Sequence, residues 1–368
     1  MRIEALRQRL RALGANPRHE HRVLRLWSQA LPQTHGKRPV ANFLPTSLRT
    51  ALPEIERDLA ALAVAHSEHP GEDGSLRRVV ALSDGQLVES VHMPPGRTPA
   101  LCVSTQVGCA VGCVFCMTGT TGLVRQIGSA EIVAQVALAR ASQPVQRVVF
   151  MGMGEPAHNL DNVLEAIDLL GTAGNIGHKN LVLSTVGDPR LFEALMARDQ
   201  GQVRPALALS LHTTRADLRA ELLPRAPRLT PEALVAAGEA YARASGYPIQ
   251  YQWTLLAGIN DTDEEVDGLA RLLHGKYAIL NLIPYNEVTG MPFQRPSWEH
   301  AAELARRLHR QGILTKLRHS AGQDVDGGCG QLRARAAQML GVPEAPQATE
   351  VTRACGNHRV ILLSVKAV

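Results

Sequence analysis

Gly108-Cys109-Ala110-Val111-Gly112-Cys113-Val114-Phe115-Cys116 sets three cysteines at Cys-x3-Cys-x2-Cys spacing in one short segment. Thiolates at this spacing can wrap one face of a cubane four-iron four-sulfur cluster, and no fourth cysteine in the segment completes the set. One iron is then open to a ligand from outside the protein. S-adenosylmethionine (SAM) can chelate that iron through its amino and carboxylate groups. An electron from the cluster then cleaves a carbon–sulfur bond and yields a 5′-deoxyadenosyl radical, which is the cofactor's chemistry rather than the protein's. The alternative is a structural zinc ion, but such sites close with a fourth Cys or His nearby, which this segment lacks.

The elements that would position a SAM site begin at residue 99. Runs rich in Val, Leu and Ile predict strands at 101–107, 146–151, 180–186, 205–211, 249–256, 278–284 and 313–319. Helices between them begin near Ser129, Asn159, Pro189, Thr230, Asp261 and Trp298, and Asp261 with Glu264 reads as a capping box. The alternation predicts an α/β fold, a partial or near-closed parallel (β/α) barrel over 99–340. Chemistry in such a barrel gathers at the carboxyl ends of the strands. The cysteine segment follows the first strand. Gly152-Met153-Gly154-Glu155-Pro156 follows the second, Ser184 ends the third, Ser210-Leu211-His212 the fourth, and Asn286 follows the sixth. Gly154, Glu155, Ser184, Ser210, Leu211, His212 and Asn286 therefore share one rim. Glycine lets a ligand approach the backbone, and the polar groups suit the ammonium, ribose and carboxylate of SAM. Each alone reads as an ordinary turn or capping residue, and His212, one of fourteen histidines, carries least of the argument.

Residues 1–98 read as a helical accessory region plus a β-hairpin. Amphipathic stretches at Ile3–Leu13, His21–Leu31 and Ser47–Val64 are broken by Pro17, Pro32 and Pro45, so residues 1–69 are expected to be helical. Leu76–Ser83 and Gln86–Met93 alternate apolar and polar around Asp84-Gly85, a strong hairpin signal. Ten basic side chains against Glu4 and Glu20 give residues 1–50 a charge of +8, which leaves −3 for the remainder of a +5 chain. That asymmetry fits a polyanion partner such as nucleic acid, or a solvated helical surface. Residues 341–368 form a tail whose one apolar run, His358–Val365, has no evident role. No apolar run reaches the roughly 20 residues needed to span a bilayer, and the N-terminus is charged throughout. Six cysteines are too few for a disulfide scaffold. A cytoplasmic monomer with no membrane contact is expected.

Leu101-Cys102-Val103-Ser104-Thr105-Gln106-Val107-Gly108-Cys109, the Gly154-Glu155-Pro156 turn, Ser210-Leu211-His212, Asn281-Leu282-Ile283-Pro284-Tyr285-Asn286 and Gly328-Cys329-Gly330-Gln331-Leu332 closely resemble the radical-SAM RNA adenine methyltransferases of the RlmN and Cfr type. The resemblance runs from the N-terminal helices to about residue 340. It departs in the compact N-terminal region, at Ser184-Thr185-Val186-Gly187 where a second serine is usual, and in the tail.

The resemblance implies methylation of adenine carbon 2 or carbon 8 in ribosomal or transfer RNA, with two SAM molecules per turnover. Cys329 would be the S-methylcysteine that carries the methyl group. Cys102 would attack its sulfur, forming a disulfide that releases the product, and Glu89 would accept a proton. Electrons would come from a reducing partner such as flavodoxin or ferredoxin. The radical route suits an electron-poor ring carbon, which is no nucleophile. Two other readings stand beside this one: a radical-SAM enzyme of the same fold acting on another substrate, and a non-catalytic nucleic-acid-binding protein with an iron–sulfur or metal site. In either, Cys102 and Cys329 would be small buried hydrophobes, as Cys355 is taken to be. Glu89, alternating outward on the hairpin, would be a solvated strand residue.

Overall fold

The computed structural model describes residues 1–332 except Arg38, Gln200 and Thr289, together with strands 349–355 and 358–364. Three helices lead: α1 (Ile3–Ala12), α2 (Pro17–Ser28) and α3 (Thr46–Ala61). Ile3, Leu6 and Leu10 of α1 are buried at helical spacing. Pro17, expected as a break, instead starts α2. It occupies the first turn, where its missing N–H is no loss, and the Asn16 side chain accepts from the N–H groups of Arg18 and His19.

Strands β1 (Ala63–Pro70), β2 (Leu76–Leu82) and β3 (Leu87–His92) follow as an antiparallel meander. The helical expectation for 63–69 is thus corrected. This segment finds ladder partners along β2, and pairing outweighs a weak local preference. The predicted strand 101–107 is two pieces, β4 (Ala100–Cys102) and β5 (Gln106–Gly108). Between them Ser104 turns to side-chain partners, donating its hydroxyl to the Glu89 carbonyl (2.6 Å) and its N–H to Gln135 Oε1 (3.0 Å).

The remaining elements are α4 (Met117–Thr120), β6 (Leu123–Gln126), α5 (Ser129–Arg140), β7 (Arg147–Phe150), α6 (Leu160–Gly171), β8 (Leu181–Thr185), α7 (Pro189–Met196), β9 (Ala206–Ser210) and α8 (Ala216–Leu222). They continue with α9 (Pro231–Ser245), β10 (Ile249–Leu255), α10 (Asp263–Leu273), β11 (Ala278–Pro284), α11 (Trp298–Arg310) and β12 (Thr315–Leu317). Helix α10 is capped one residue later than expected, by Thr262 accepting from Glu265 N–H. Strands 349–355 and 358–364 pair antiparallel, so the apolar run of the tail is a strand; residues 333–348 lie outside the described residues.

One ten-stranded sheet runs β1-β2-β3-β4-β7-β8-β9-β10-β11-β12. From β4 to β12 its neighbours are parallel, and β1 to β4 are antiparallel. The hairpin is therefore continuous with the main sheet. β1 and β12 are its two ends, so the barrel is partial. A single core joins Leu10, Leu24 and Leu52 of the helices to Val88, Leu101, Leu207 and Trp253 of the sheet. A second apolar cluster, with Val111, Phe115, Leu218, Leu222, Leu256 and Tyr285, packs around the cysteine segment. Among the described residues no helix is long and apolar enough to cross a membrane.

Much of the N-terminal positive charge is already partnered. Arg2 pairs with Glu165, Arg7 with Glu20, Arg9 with Glu54 and Asp58, and Arg11 with Glu4 and Glu20. Arg22 donates to the carbonyls of Gln33 and His35 and lies 4.4 Å over the Phe43 ring.

Candidate active site

A cavity at the carboxyl ends of the parallel strands is lined by Cys109, Cys113, Cys116, Glu155, Ser184, Ser210, His212 and Cys329. Gly154 also lines it, at φ +108°; a Cβ there would come within 2.8 Å of Gln106. A wider crevice between α1 and α6, lined by Arg2, Asp161 and Glu165, shares none of these residues.

The cysteine loop leaves β5 at Gly108, where a Cβ would lie 1.9 Å from the Gly122 carbonyl oxygen. Only glycine permits that approach, and it lets Cys109 N–H donate to the same carbonyl at 2.9 Å. Within the loop Cys116 N–H donates to Cys113 O (3.1 Å), and Gly119 N–H to Cys116 O (3.1 Å). Burial pushes the Cys109 thiol up to about 12 and raises Cys113 and Cys116 as well. These thiols give up their protons readily only to a bound cation.

A belt of side-chain bonds ties the strand ends to one another. Glu155 Oε1 accepts from Thr185 Oγ1 (2.6 Å) and Ala157 N–H (3.0 Å), and Oε2 from Val186 N–H (3.0 Å). Burial lifts its carboxyl to about 7 against the pull of those donors. The Thr185 hydroxyl thus holds Glu155 in place. Arg219 donates to the carbonyls of Val186 (2.5 Å) and Ser210 (3.2 Å), joining β8 to β9. His212, at φ +61°, accepts Thr254 N–H on Nδ1 (3.0 Å), which places its proton on Nε2. Burial drives its pKa down to about 3, so the ring is neutral and packs edge-on against Phe115.

Cys329 opens into the same cavity. Asn286 Nδ2 holds the loop by donating to Cys329 O (2.9 Å) and to Ser320 Oγ (2.8 Å). Met117 N–H donates to Gly330 O (2.8 Å), joining this loop to the cysteine segment. Although exposed to the cavity, the Cys329 thiol is ringed by protein, and desolvation followed by the nearby Cys116 raises its pKa. Cys102 is buried, and its pKa is raised first by burial and then by Cys329, so the two sulfurs lie within electrostatic reach. Sheet pairing fixes the rest. Cys102 pairs with Val149, and Val149 with Val182, which puts Cys102 on the same face as Ser184. Val91 pairs with Cys102, so Glu89 stands diagonally beside it on that face.

Three expectations change. Glu89 is not solvated: it is fully buried and bonded to Arg77 at 3.0 Å. Leu211 belongs to the core rather than the cavity lining, its N–H donating to Gln252 O. Asn286 is not among the lining residues either; its amide nitrogen holds the Cys329 loop. The five described cysteines Cys102, Cys109, Cys113, Cys116 and Cys329 are free thiols.

Residues 103–273 match the model of the radical SAM superfamily. A probable RNA methyltransferase of Leptothrix cholodnii is 69% identical over 335 residues, covering 91% of this chain and 95% of that protein. Another from Pseudomonas aeruginosa is 63% identical over 340 residues, 92% of this chain and 96% of that one. A crystal structure of a radical SAM methyltransferase from Sphaerobacter thermophilus superposes with a TM-score of 0.77 at 33% identity, covering 91% of this chain and 98% of that chain. The chain belongs to the radical-SAM RNA methyltransferase family.

Membership in this family implies a four-iron four-sulfur cluster and SAM, and the residues present suit both. Among the described residues no His, Cys, Asp and Glu groups converge tightly enough for a single ion. A cluster offers each thiolate its own iron and does not require that convergence. Beside the three thiols the cavity is polar at Ser184, Ser210, Gln252 and Thr254 and apolar at Val111, Phe115 and Ile283, a lining suited to a charged nucleoside. The buried Oδ1 of Asn286 has no hydrogen-bond partner among the described residues. Sequence reasoning missed Arg219, Gln252 and Thr254. Arg219 lies in α8, a short helix between strands that the pattern of longer helices does not include. Gln252 and Thr254 are inward positions of β10 and were legible from period two alone.

Proposed function

We propose that this radical-SAM chain methylates a ring carbon of adenine, carbon 2 or carbon 8, in ribosomal or transfer RNA, with Cys329 carrying the methyl group. The observation that carries the reading is the pair of thiols. Cys329 opens into the cavity lined by the cluster cysteines, and Cys102 is buried within electrostatic reach of it with Glu89 alongside. A radical-SAM enzyme with inert structural cysteines needs no such arrangement.

Cys109, Cys113 and Cys116 would hold the cluster, which when bound supplies the electron that cleaves SAM to a radical able to take a hydrogen atom. Cys329 accepts a methyl group from one SAM and loses a hydrogen atom from it in a reaction driven by a second. The remaining methylene on its sulfur joins the adenine ring carbon. Glu89 accepts the proton that the ring carbon gives up; its buried place beside Cys102 puts a base where water is scarce. Cys102 then attacks the Cys329 sulfur. The sulfur–sulfur bond forms as the sulfur–carbon bond breaks, and the released carbon takes up a proton to become the methyl group. The one unpaired electron left by the radical addition would pass back to the cluster, and the methylated base departs; a thiol reductant then restores Cys102 and Cys329. Burial keeps Cys102 a neutral thiol until its proton is taken. A flavodoxin or ferredoxin would return electrons to the cluster.

RNA would be approached from residues 1–98. Arg18 is exposed and Arg25 is half-buried, whereas Arg22 is tied to carbonyls. Charge reversal at Arg18 or Arg25 is expected to flatten the salt dependence of RNA binding by about one unit per lost phosphate contact, as titrations at several salt concentrations would reveal. The function itself is tested by mass spectrometry of nucleosides from RNA of cells with and without the gene. A methyladenine carrying the methyl on carbon, present only with the gene, is the expected result, and identical nucleosides would refute it.

A further inference from the structure

An exposed aromatic pair takes no part in the chemistry above. Trp298, the first residue of α11, stacks on His319 with ring centroids 3.9 Å apart and planes 18° from parallel. Trp298 is 37% exposed and His319 is exposed as well, whereas Trp27 and Trp253 are buried. Leaving an indole face in water forgoes the burial that normally holds such a residue in place, so a flat exposed pair at a site rim calls for a flat ligand.

The position of the pair identifies that ligand. Ser320, next to His319, accepts from the Asn286 amide that also donates to the Cys329 carbonyl, so one asparagine ties the chain beside His319 to the loop bearing the methyl carrier. β12 is the end strand of the open barrel, and Lys316 on it is exposed, with Arg318 immediately after it. Arg318 lies close enough to Cys329 for the two charges to bear on each other. A flat aromatic surface flanked by cations is the arrangement that binds single-stranded nucleic acid: the base stacks and the cations meet the phosphates.

We propose that the Trp298–His319 pair is a stacking platform for an unpaired RNA base flanking the target adenine, with Lys316 and Arg318 receiving the adjoining phosphates. This rests on the RNA reading above. Extruding an adenine into the barrel costs its stacking on its neighbours, and a platform for the flanking base offsets part of that loss.

The test uses the cluster-loaded protein with a short single-stranded oligoadenylate, and with total RNA from cells lacking the gene. Because Trp298 is the exposed tryptophan, oligoadenylate should quench its fluorescence, and Trp298→Ala should abolish the quench. Trp298→Ala should raise the KM for RNA about 5- to 100-fold, while RNA-free SAM cleavage stays at the wild-type rate. Trp298→Phe, which keeps a ring, should retain most of the affinity. An unquenched wild-type protein that still binds RNA, or a Trp298→Ala variant with unchanged KM, overturns the platform and leaves the RNA reading intact. Slower cluster reduction by flavodoxin at an unchanged RNA KM would assign this face to the electron donor and overturn it equally. Wild-type protein that neither binds nor methylates RNA would overturn both readings.

Discussion

At the carboxyl ends of β7 to β10, Glu155, Arg219 and His212 bond to the backbone of neighbouring strand ends and loops, whereas on β2 and β3 Arg77 and Glu89 bond to each other. Both regions face the same barrel interior, yet they do different work. Side chains tied to backbone fix where loops stand, so the rim acts as a frame for the cluster and SAM. A buried ion pair holds charge inside the fold and gives little net stability, because its desolvation offsets its attraction. The rim is therefore built for position, and in the proposed reaction the β2–β4 wall supplies the proton acceptor and the shielded thiol. A polar residue on a barrel rim is thus as often a brace for the site as a ligand in it.

The sharpest break between the two regions comes from the cysteine loop. Replacing Cys109, Cys113 or Cys116 with Ala should reduce iron content and SAM cleavage to background while the protein stays folded, checked by iron analysis and circular dichroism. A smaller effect, on stability instead of cofactor, is expected on the wall. Arg77→Met removes the arginine partner of a buried carboxylate and should destabilise the protein by about 3–5 kcal/mol in urea unfolding, while adding Glu89→Leu should recover most of that loss. Recovery of methylation in the double variant would contradict the role of Glu89.

The outer face of the same wall adds a pH dependence. His92 bonds Arg78 at 2.9 Å, and burial, then the Arg78 charge, lowers its pKa from 6.5 to about 4. Its folded form stays neutral while the unfolded form takes up a proton. Stability present above pH 6.5 is therefore lost as pH falls toward 4, by about 3 kcal/mol at most. Urea midpoints measured across this range should show the loss, and His92→Asn should flatten it.

Much of the frame was legible before the structure. Alternating strands and helices placed the cavity at the strand ends, because each βα unit returns the chain to the same rim. The cysteine loop was legible from residue type and spacing, and the Cys329 loop from the family resemblance. The burial of Glu89 was not. Outward alternation assumes a hairpin with one wet face, but β3 is paired on both sides, with β2 and β4, and all six of its residues are buried. Asn286 and Leu211 were misplaced for a related reason: pattern identifies the rim, but which way a rim side chain turns depends on loops distant in sequence, here the one at Cys329. The partnering of the N-terminal arginines with Glu20, Glu54 and Asp58 depends likewise on how α1, α2 and α3 pack.

The most direct measurement compares Cys102→Ala with Cys329→Ala in the presence of SAM, a reductant and RNA. If Cys329 delivers the methylene, RNA and protein are joined at mid-reaction by a sulfur–carbon bridge, and release requires a thiolate attacking that sulfur. Cys102→Ala should therefore consume SAM, make no methyladenine and accumulate a covalent protein–RNA band on a denaturing gel. Cys329→Ala should form no such band, and the double variant should behave like Cys329→Ala. Normal turnover by Cys102→Ala, or a covalent band from Cys329→Ala, would contradict the two-thiol account.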